Sequence, residues 1–117
     1  MSELKGKTAI VTGASRGIGK ALAATVASLG VNVVIAARQE AALKETAEEI
    51  AEKYKVEVLS IVCDVAKLED LENLVNKTRE KFGKIDILIN NAGVSSQYPF
   101  QEQPIEDFEK LAHTNYL

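Results

Sequence analysis

Short apolar runs alternate with longer amphipathic segments along the whole chain, and this alternation restricts the fold more than any other feature. Strands are predicted where β-branched residues cluster, over residues 7–12, 31–36, 56–63 and 85–89. Helices are predicted where apolar residues recur at helical spacing, over residues 17–29, 39–54, 67–82 and from 105 onward, with a loop over 93–104. Strict alternation implies an α/β fold with a parallel sheet. The precedent of doubly wound folds gives the strand order 3-2-1-4 in the sheet. Right-handed crossovers would then place the first two helices on one face of the sheet and the third on the other.

Composition fits one small domain, which we expect to span residues 1–117. Hydrophobic residues make up 46% and charged residues 26%, which argues against disorder. No run of 18 apolar residues occurs, so no membrane span is expected, and the N-terminus lacks the apolar stretch of a secretory leader. The single Cys63 excludes an internal disulfide framework and is typical of a cytoplasmic or other reducing compartment. With one histidine and one cysteine, no metal site is expected.

The net charge of −3 is unevenly distributed. Residues 1–38 contain five basic side chains and one acidic side chain, whereas the rest contains nine basic and sixteen acidic ones. An acidic chain is a poor candidate for nucleic-acid binding. The positively charged N-terminal part, residues 1–38, contains a glycine-rich stretch.

That stretch, residues 12–19, has the sequence TGASRGIG and lies between the first predicted strand and the first predicted helix. Glycines allow a sharp turn and a close approach to a ligand, and a helix N-terminus favours an anion. A mononucleotide P-loop would need glycine at position 14 and Ser or Thr at 21, but Ala14 and Ala21 stand there. The remaining alternative is a tight turn without a ligand.

The stretch resembles the cofactor loop of the short-chain dehydrogenase/reductase family. Three further motifs follow in the family's order: Cys63-Asp64-Val65, then Asn90-Asn91-Ala92-Gly93, then Asn115. The resemblance covers the whole chain and corresponds to the family's N-terminal half. It implies a Rossmann-type doubly wound parallel sheet of about four strands with helices on both faces.

The resemblance also implies a dinucleotide site. Its residues would be Gly13, Ser15, Arg16, Gly17, Ile18, Gly19, Arg38, Asp64, Val65, Asn91, Ala92 and Gly93. Ser15 and Arg16 would contact phosphate oxygens, Asp64 would meet the adenine, and the backbone of residues 91–93 would line a ribose. Asn90 would steady the central sheet. For Asp64, an N-cap on the following helix is the alternative.

The cofactor can be predicted from charge at the end of the second strand. An NAD site would place an acid there to receive the ribose 2′-hydroxyl, but the sequence is Ala36-Ala37-Arg38. Arg16 and Arg38 could clamp a 2′-phosphate, which favours NADP(H) over NAD(H). The alternative for Arg38 is a simple surface cation.

The family's reaction is hydride transfer between a nicotinamide and a carbonyl or alcohol carbon, with a Tyr-x-x-x-Lys acid/base pair and a serine. No tyrosine of these 117 residues has lysine at the fourth following position, and Ser95 and Ser96 come too early for the family's serine. Of the catalytic set, the resemblance assigns Asn115, which holds a water near the missing lysine.

We therefore expect a cofactor-binding half that does not turn over a substrate alone. A non-catalytic dinucleotide-binding module and a self-associating module are the alternatives. Self-association is expected through an exposed edge of the fourth strand, or with a C-terminal half, because an unpaired strand edge attracts another strand.

Overall fold

The computed structural model describes residues 4–91 and 101–103. Its elements, in chain order, are β1 (Thr8–Thr12), α1 (Gly17–Ser28), β2 (Asn32–Ala37), α2 (Glu40–Tyr54), β3 (Val58–Val62), α3 (Leu68–Phe82), β4 (Ile87–Asn90) and β5 (Gln101–Gln103). The strands form one sheet in the order β3-β2-β1-β4-β5. The predicted order of the first four strands and their parallel pairing are confirmed.

β1 is the centre of this sheet, and all five of its residues are buried. Val11 pairs with Ile35 of β2 on one side and with Ile89 of β4 on the other. This register brings the carboxyl ends of the three strands to the same edge. Whatever follows these strands is therefore held close together.

Alternate strand residues point to opposite faces of the sheet, and each face has its own core. One core contains the inward residues of α3 and the strand residues facing them: Ile10, Val34, Ala36, Ile61, Cys63, Leu71, Leu74, Val75, Ile85 and Leu88. The other contains those of α1 and α2: Val11, Ala14, Ala23, Ala27, Val33, Ile35, Ala37, Leu43, Ile50 and Ile89. The predicted placement, α1 and α2 on one face and α3 on the other, is confirmed.

The helical spacing that predicts α1 includes Ile18 and Leu29, but these two side chains are not part of its buried face. They are 53% and 37% exposed. The residues buried in α1 are Gly19, Ala23 and Ala27, which recur every four positions. Their small size lets the helix lie close to the sheet, so bulkier neighbours such as Leu22 and Val26 pack beside the contact line.

The edge of β4 also differs from the prediction. Residues 93–104 were expected to form a loop and to leave this edge open, but β5 pairs there antiparallel to β4, with Ile89 opposite Glu102. Free N–H and C=O groups along a strand edge favour such pairing even for a polar segment. The β4 edge that was expected to be open is thus paired with β5, and self-association stays a prediction. The helix predicted from residue 105 lies outside the described residues.

No helix in the described ranges is both long and apolar enough to cross a membrane.

Candidate functional site

The crevice at the carboxyl ends of β1 and β4 is where the chain order of the sheet reverses. From β1 the chain proceeds to β2 and β3 on one side, and β4 lies on the other side. Open α/β sheets bind ligands at this switch point. Residues 13–19, here called the glycine loop, comprise the connection from β1 to α1 and the first three residues of α1.

The glycine loop begins with two hydrogen bonds to the end of β2. The amides of Gly13 and Ala14 donate to the carbonyl of Ala36, at 2.7 and 3.3 Å. Ala14 is fully buried in the core beneath. The first two loop residues therefore serve as anchors, and residues 15–18 form the more exposed rim.

A second set of hydrogen bonds ties the loop to β4. The buried hydroxyl of Thr12 donates to Oδ1 of Asn90 and accepts from the amide of Asn91, both at 2.8 Å. The side-chain amide of Asn91 then donates to the carbonyl of Gly13, at 3.3 Å. Asn90 is thus bonded to the central strand, as the resemblance implied. Sequence reasoning missed the part played by Thr12, although a polar residue closing a fully buried strand could have indicated it.

Gly19 stands where α1 comes closest to this network. A Cβ on Gly19 would lie 2.7 Å from Nδ2 of Asn91 and from the carbonyl carbon of Gly13, and closer still to that carbonyl's oxygen. Real Cβ atoms do not approach other atoms so closely. Glycine is needed at this position for space.

The outer part of the loop presents hydrogen-bond donors to solvent. Arg16, Gly17 and Ile18 are exposed and Ser15 is half-buried. No hydrogen bond among the described residues engages the backbone N–H groups of these four residues. Because the first N–H groups of a helix have no partner within it, they form a ready site for an anion.

Two arginines are candidates for binding an anion together with these donors. Arg16 is the N-cap residue of α1, and Arg38 directly follows β2. Both side chains are exposed, and neither pairs with a carboxylate in the part of the chain that the structure describes. The end of β2 carries no acidic residue, as its sequence predicted.

Asp64 follows β3 in a tight turn. Its carboxylate accepts from the amide of Ala66, and its own amide donates to the carboxylate of Asp70, both at 2.9 Å. The N-cap of α3 is Lys67, so the alternative that Asp64 caps this helix is wrong. Val65 is half-buried and packs against the α3 core.

The neighbouring Cys63 makes the stability of the chain depend on pH. Burial, with the carboxylates of Asp70 and then Asp64, raises the pKa of the Cys63 thiol from 9.0 to about 11. The unfolded chain therefore loses this proton first as the pH rises, and the thiol's contribution to stability falls between pH 9.0 and about 11.

We expect the free energy of unfolding to decline more steeply over this window in the native chain than in Cys63→Ala. Urea denaturation at several pH values measures the difference between the two chains, in which effects common to both cancel. The pH would be raised from 8 in steps of roughly half a unit. Free energies of unfolding that differ by the same amount between the two chains at every pH would contradict this thiol effect.

The remaining predicted site residues, Ala92, Gly93 and Asn115, lie outside the described residues. Within the described ranges, no group of three or more His, Cys, Asp or Glu side chains is placed to hold a metal ion.

Comparison with known proteins agrees with this geometry. The family model for short chain dehydrogenases matches residues 7–117, almost the whole chain. The chain belongs to the short-chain dehydrogenase family. An uncharacterized oxidoreductase of Staphylococcus saprophyticus is 43% identical over 115 residues, which are 98% of this chain and 49% of that protein.

Two solved structures extend the likeness to the fold of this family. L-sorbose reductase from Gluconobacter frateurii, complexed with NADPH and L-sorbose, is 44% identical with a TM-score of 0.76, over 80% of this chain and 35% of that one. An NAD⁺-bound xylitol dehydrogenase is 37% identical with a TM-score of 0.74, over 79% and 35%. The chain thus spans about half the length of the curated relative and about a third of each solved chain.

Proposed function

We propose that this chain is the N-terminal, cofactor-binding half of an NADP(H)-dependent short-chain oxidoreductase. The observation that carries the proposal is the glycine loop, which is anchored to β2 and β4 while four successive amides, those of residues 15–18, have no partner among the described residues. A loop held this firmly has its donors oriented before a ligand arrives. Such preorganisation is what an anion site needs, since less order is lost on binding.

The described residues fit a dinucleotide. The pyrophosphate would be held by the amides of Ser15, Arg16, Gly17 and Ile18 at the N-terminus of α1. The exposed Ile18 side chain would then pack on the ligand, which gives a reason for an apolar residue on this rim. Asp64 would contact the adenine from the end of β3.

The remaining predicted contacts complete this assignment. Gly13, with φ +64°, and Gly19, which has no space for a Cβ, would let the glycine loop turn tightly and leave room for the ligand. Val65 packs against the α3 core beside Asp64. Asn91, with Ala92 and Gly93 after it, would line the ribose from the end of β4. These positions are the family's motif positions in this sequence.

NADP(H) rather than NAD(H) is proposed because Arg38 directly follows β2, where an NAD site would have an acid, and neither Arg38 nor Arg16 pairs with a carboxylate of the described residues. A 2′-phosphate would receive bidentate hydrogen bonds from Arg38, with Arg16 as the second cation of the clamp. The L-sorbose reductase was solved with NADPH, which supports this choice. The xylitol dehydrogenase was solved with NAD⁺, so the likeness of fold alone does not decide it.

When bound, the dinucleotide would supply hydride chemistry to a small carbonyl or alcohol substrate. The described residues bind and orient it, and Asn115 is proposed to hold a water of the proton relay. These 117 residues contain no Tyr-x-x-x-Lys, so we expect them to bind cofactor without turnover. NADPH oxidation with carbonyl substrates that survives repurification would contradict this.

We expect Arg38→Gln to weaken NADPH binding about tenfold or more while leaving NADH binding unchanged, since a charge-assisted pair is lost at the 2′-phosphate only. Calorimetric titration of the native chain should first show tighter binding of NADPH than of NADH. Lys77→Gln, which removes an exposed cation from α3, is the matched control and should bind like the native chain. An Arg38→Gln variant that keeps its preference for NADPH would disprove the role of Arg38, and binding of neither dinucleotide would disprove the proposed function.

A further inference from the structure

Thr46 is a polar residue on the otherwise apolar inner face of α2. The buried residues of this helix are Leu43, Thr46 and Ile50. A buried hydroxyl in such a stripe needs a hydrogen-bond partner. Thr46 finds it outside its own helix, because its hydroxyl donates to the carbonyl of Ser15 at 3.2 Å.

This bond joins α2 to the glycine loop across 31 positions of sequence. A second tie, between Lys20 of α1 and Glu49 of α2, is an ion pair of 2.9 Å. Both side chains of the ion pair are about half exposed, so water screens the pair and it contributes little to stability. The hydroxyl of Thr46 is therefore the buried polar link from α2 to the loop.

The geometry points to Thr46 as a positioning residue for the anion-binding donors of the glycine loop. The carbonyl of Ser15 and the N–H of Arg16 belong to one peptide unit, which is planar and trans. In such a unit the two groups point in opposite directions. Since Thr46 holds the carbonyl toward α2, the N–H of Arg16 is turned away from α2.

The backbone around this peptide would not by itself fix that orientation. Arg16 is the N-cap of α1, with an extended backbone (φ −165°, ψ 171°), and no side chain caps the helix. Its N–H is one of the four that no hydrogen bond engages among the described residues. Thr46 thus orients the Arg16 N–H, a donor of the proposed pyrophosphate site that no side-chain cap of α1 holds in place. This inference rests on the proposed function.

The test is a valine substitution at position 46, which keeps the shape and removes the hydroxyl. Thr46→Val should weaken NADPH and NADH binding by the same factor, about three- to tenfold, because the pyrophosphate is common to both. Thr46→Ser should restore most of the affinity. Thr78→Val is the matched control, since the buried Thr78 hydroxyl also donates to a backbone carbonyl, that of Leu74, but within α3. It should lose stability without losing affinity.

A measurement on the native chain covers the case in which Thr46→Val does not fold. The backbone amide of Arg16 should show one of the largest NMR shift changes when NADPH is added. An Arg16 amide that does not respond at saturation, or a folded Thr46→Val with native affinity, would overturn the inference while leaving the proposed function intact. Binding of neither dinucleotide by the native chain would overturn both.

Discussion

Replacing Gly19 by alanine should destabilise the chain by about 3 kcal/mol, against the usual direction of this substitution in a helix. Gly19 is the third residue of α1, and exchange of glycine for alanine in a helix normally stabilises by about 0.5–1 kcal/mol. Here the new methyl group would lie 2.7 Å from the side-chain nitrogen of Asn91 and closer still to the carbonyl oxygen of Gly13. The nitrogen of Asn91 and the oxygen of Gly13 are hydrogen-bonded to each other, so neither can move away from the new methyl group without loss of that bond.

Relief of that contact would require α1 to move from the sheet or the Asn91–Gly13 hydrogen bond to break. Either change disturbs the amides that the loop presents, so we also expect Gly19→Ala to lose measurable NADPH binding. Urea denaturation followed by circular dichroism measures the stability, and calorimetry measures the binding.

Gly83→Ala is the control for this experiment. Gly83 is the C-cap of α3 with φ +78°, and a methyl group added there would meet no atom within 4 Å other than those of its immediate chain neighbourhood, so alanine at this position meets backbone strain alone. Its cost should be about 1–2 kcal/mol, and cofactor binding should persist. A Gly19→Ala chain as stable as the native one would show that α1 does not pack as closely as described.

The fold was largely predictable because two kinds of pattern are local. Strand and helix periods are visible in windows of a few residues, and a parallel sheet with alternating helices has few permitted orders. The inner face of α1 was not predictable in this way. Hydrophobicity favoured Ile18 and Leu29, whereas close packing favoured Gly19 and Ala23.

β5 was missed for a different reason. Its sequence, Gln-Glu-Gln, has neither apolar alternation nor β-branched residues. The strand forms by pairing with an edge that the fold provides, so tertiary context overrides local preference. A sequence window cannot contain that information.

Within the candidate site, residue types with special geometry were found and ordinary ones were missed. Glycines and asparagines at strand ends were visible in the motifs. Thr12 and Thr46 act through partners 78 and 31 positions away, respectively, so their roles emerge only once the sheet brings those partners close. Both are threonines in buried stripes, a feature that could serve as a signal in related sequences.

The second large effect is expected at Thr12. Thr12→Val should cost about 2–3 kcal/mol, because the hydroxyl both donates to Asn90 and accepts from the amide of Asn91. Valine has the same shape, so packing is kept and both partners are left without this bond. Because Asn91 in turn holds the carbonyl of Gly13, we expect NADPH affinity to fall as well.

β1 itself offers the matched control. Thr8 lies at the other end of the same strand and is equally buried, but its hydroxyl has no hydrogen-bond partner among the described residues. Its backbone is bonded to Asp86 through groups that valine also has. Thr8→Val should therefore be neutral or stabilise the chain by about 1 kcal/mol, since an unpaired buried hydroxyl is removed.

The pair of variants gives opposite signs for one chemical change in one strand. Denaturation measures both free energies, and Thr12→Ser, which keeps the hydroxyl, should recover most of the NADPH affinity. Equal losses in Thr8→Val and Thr12→Val would mean that valine is simply tolerated poorly in β1. A large loss confined to Thr12→Val would instead locate the stability of the site in the bonds that connect β1 to the end of β4.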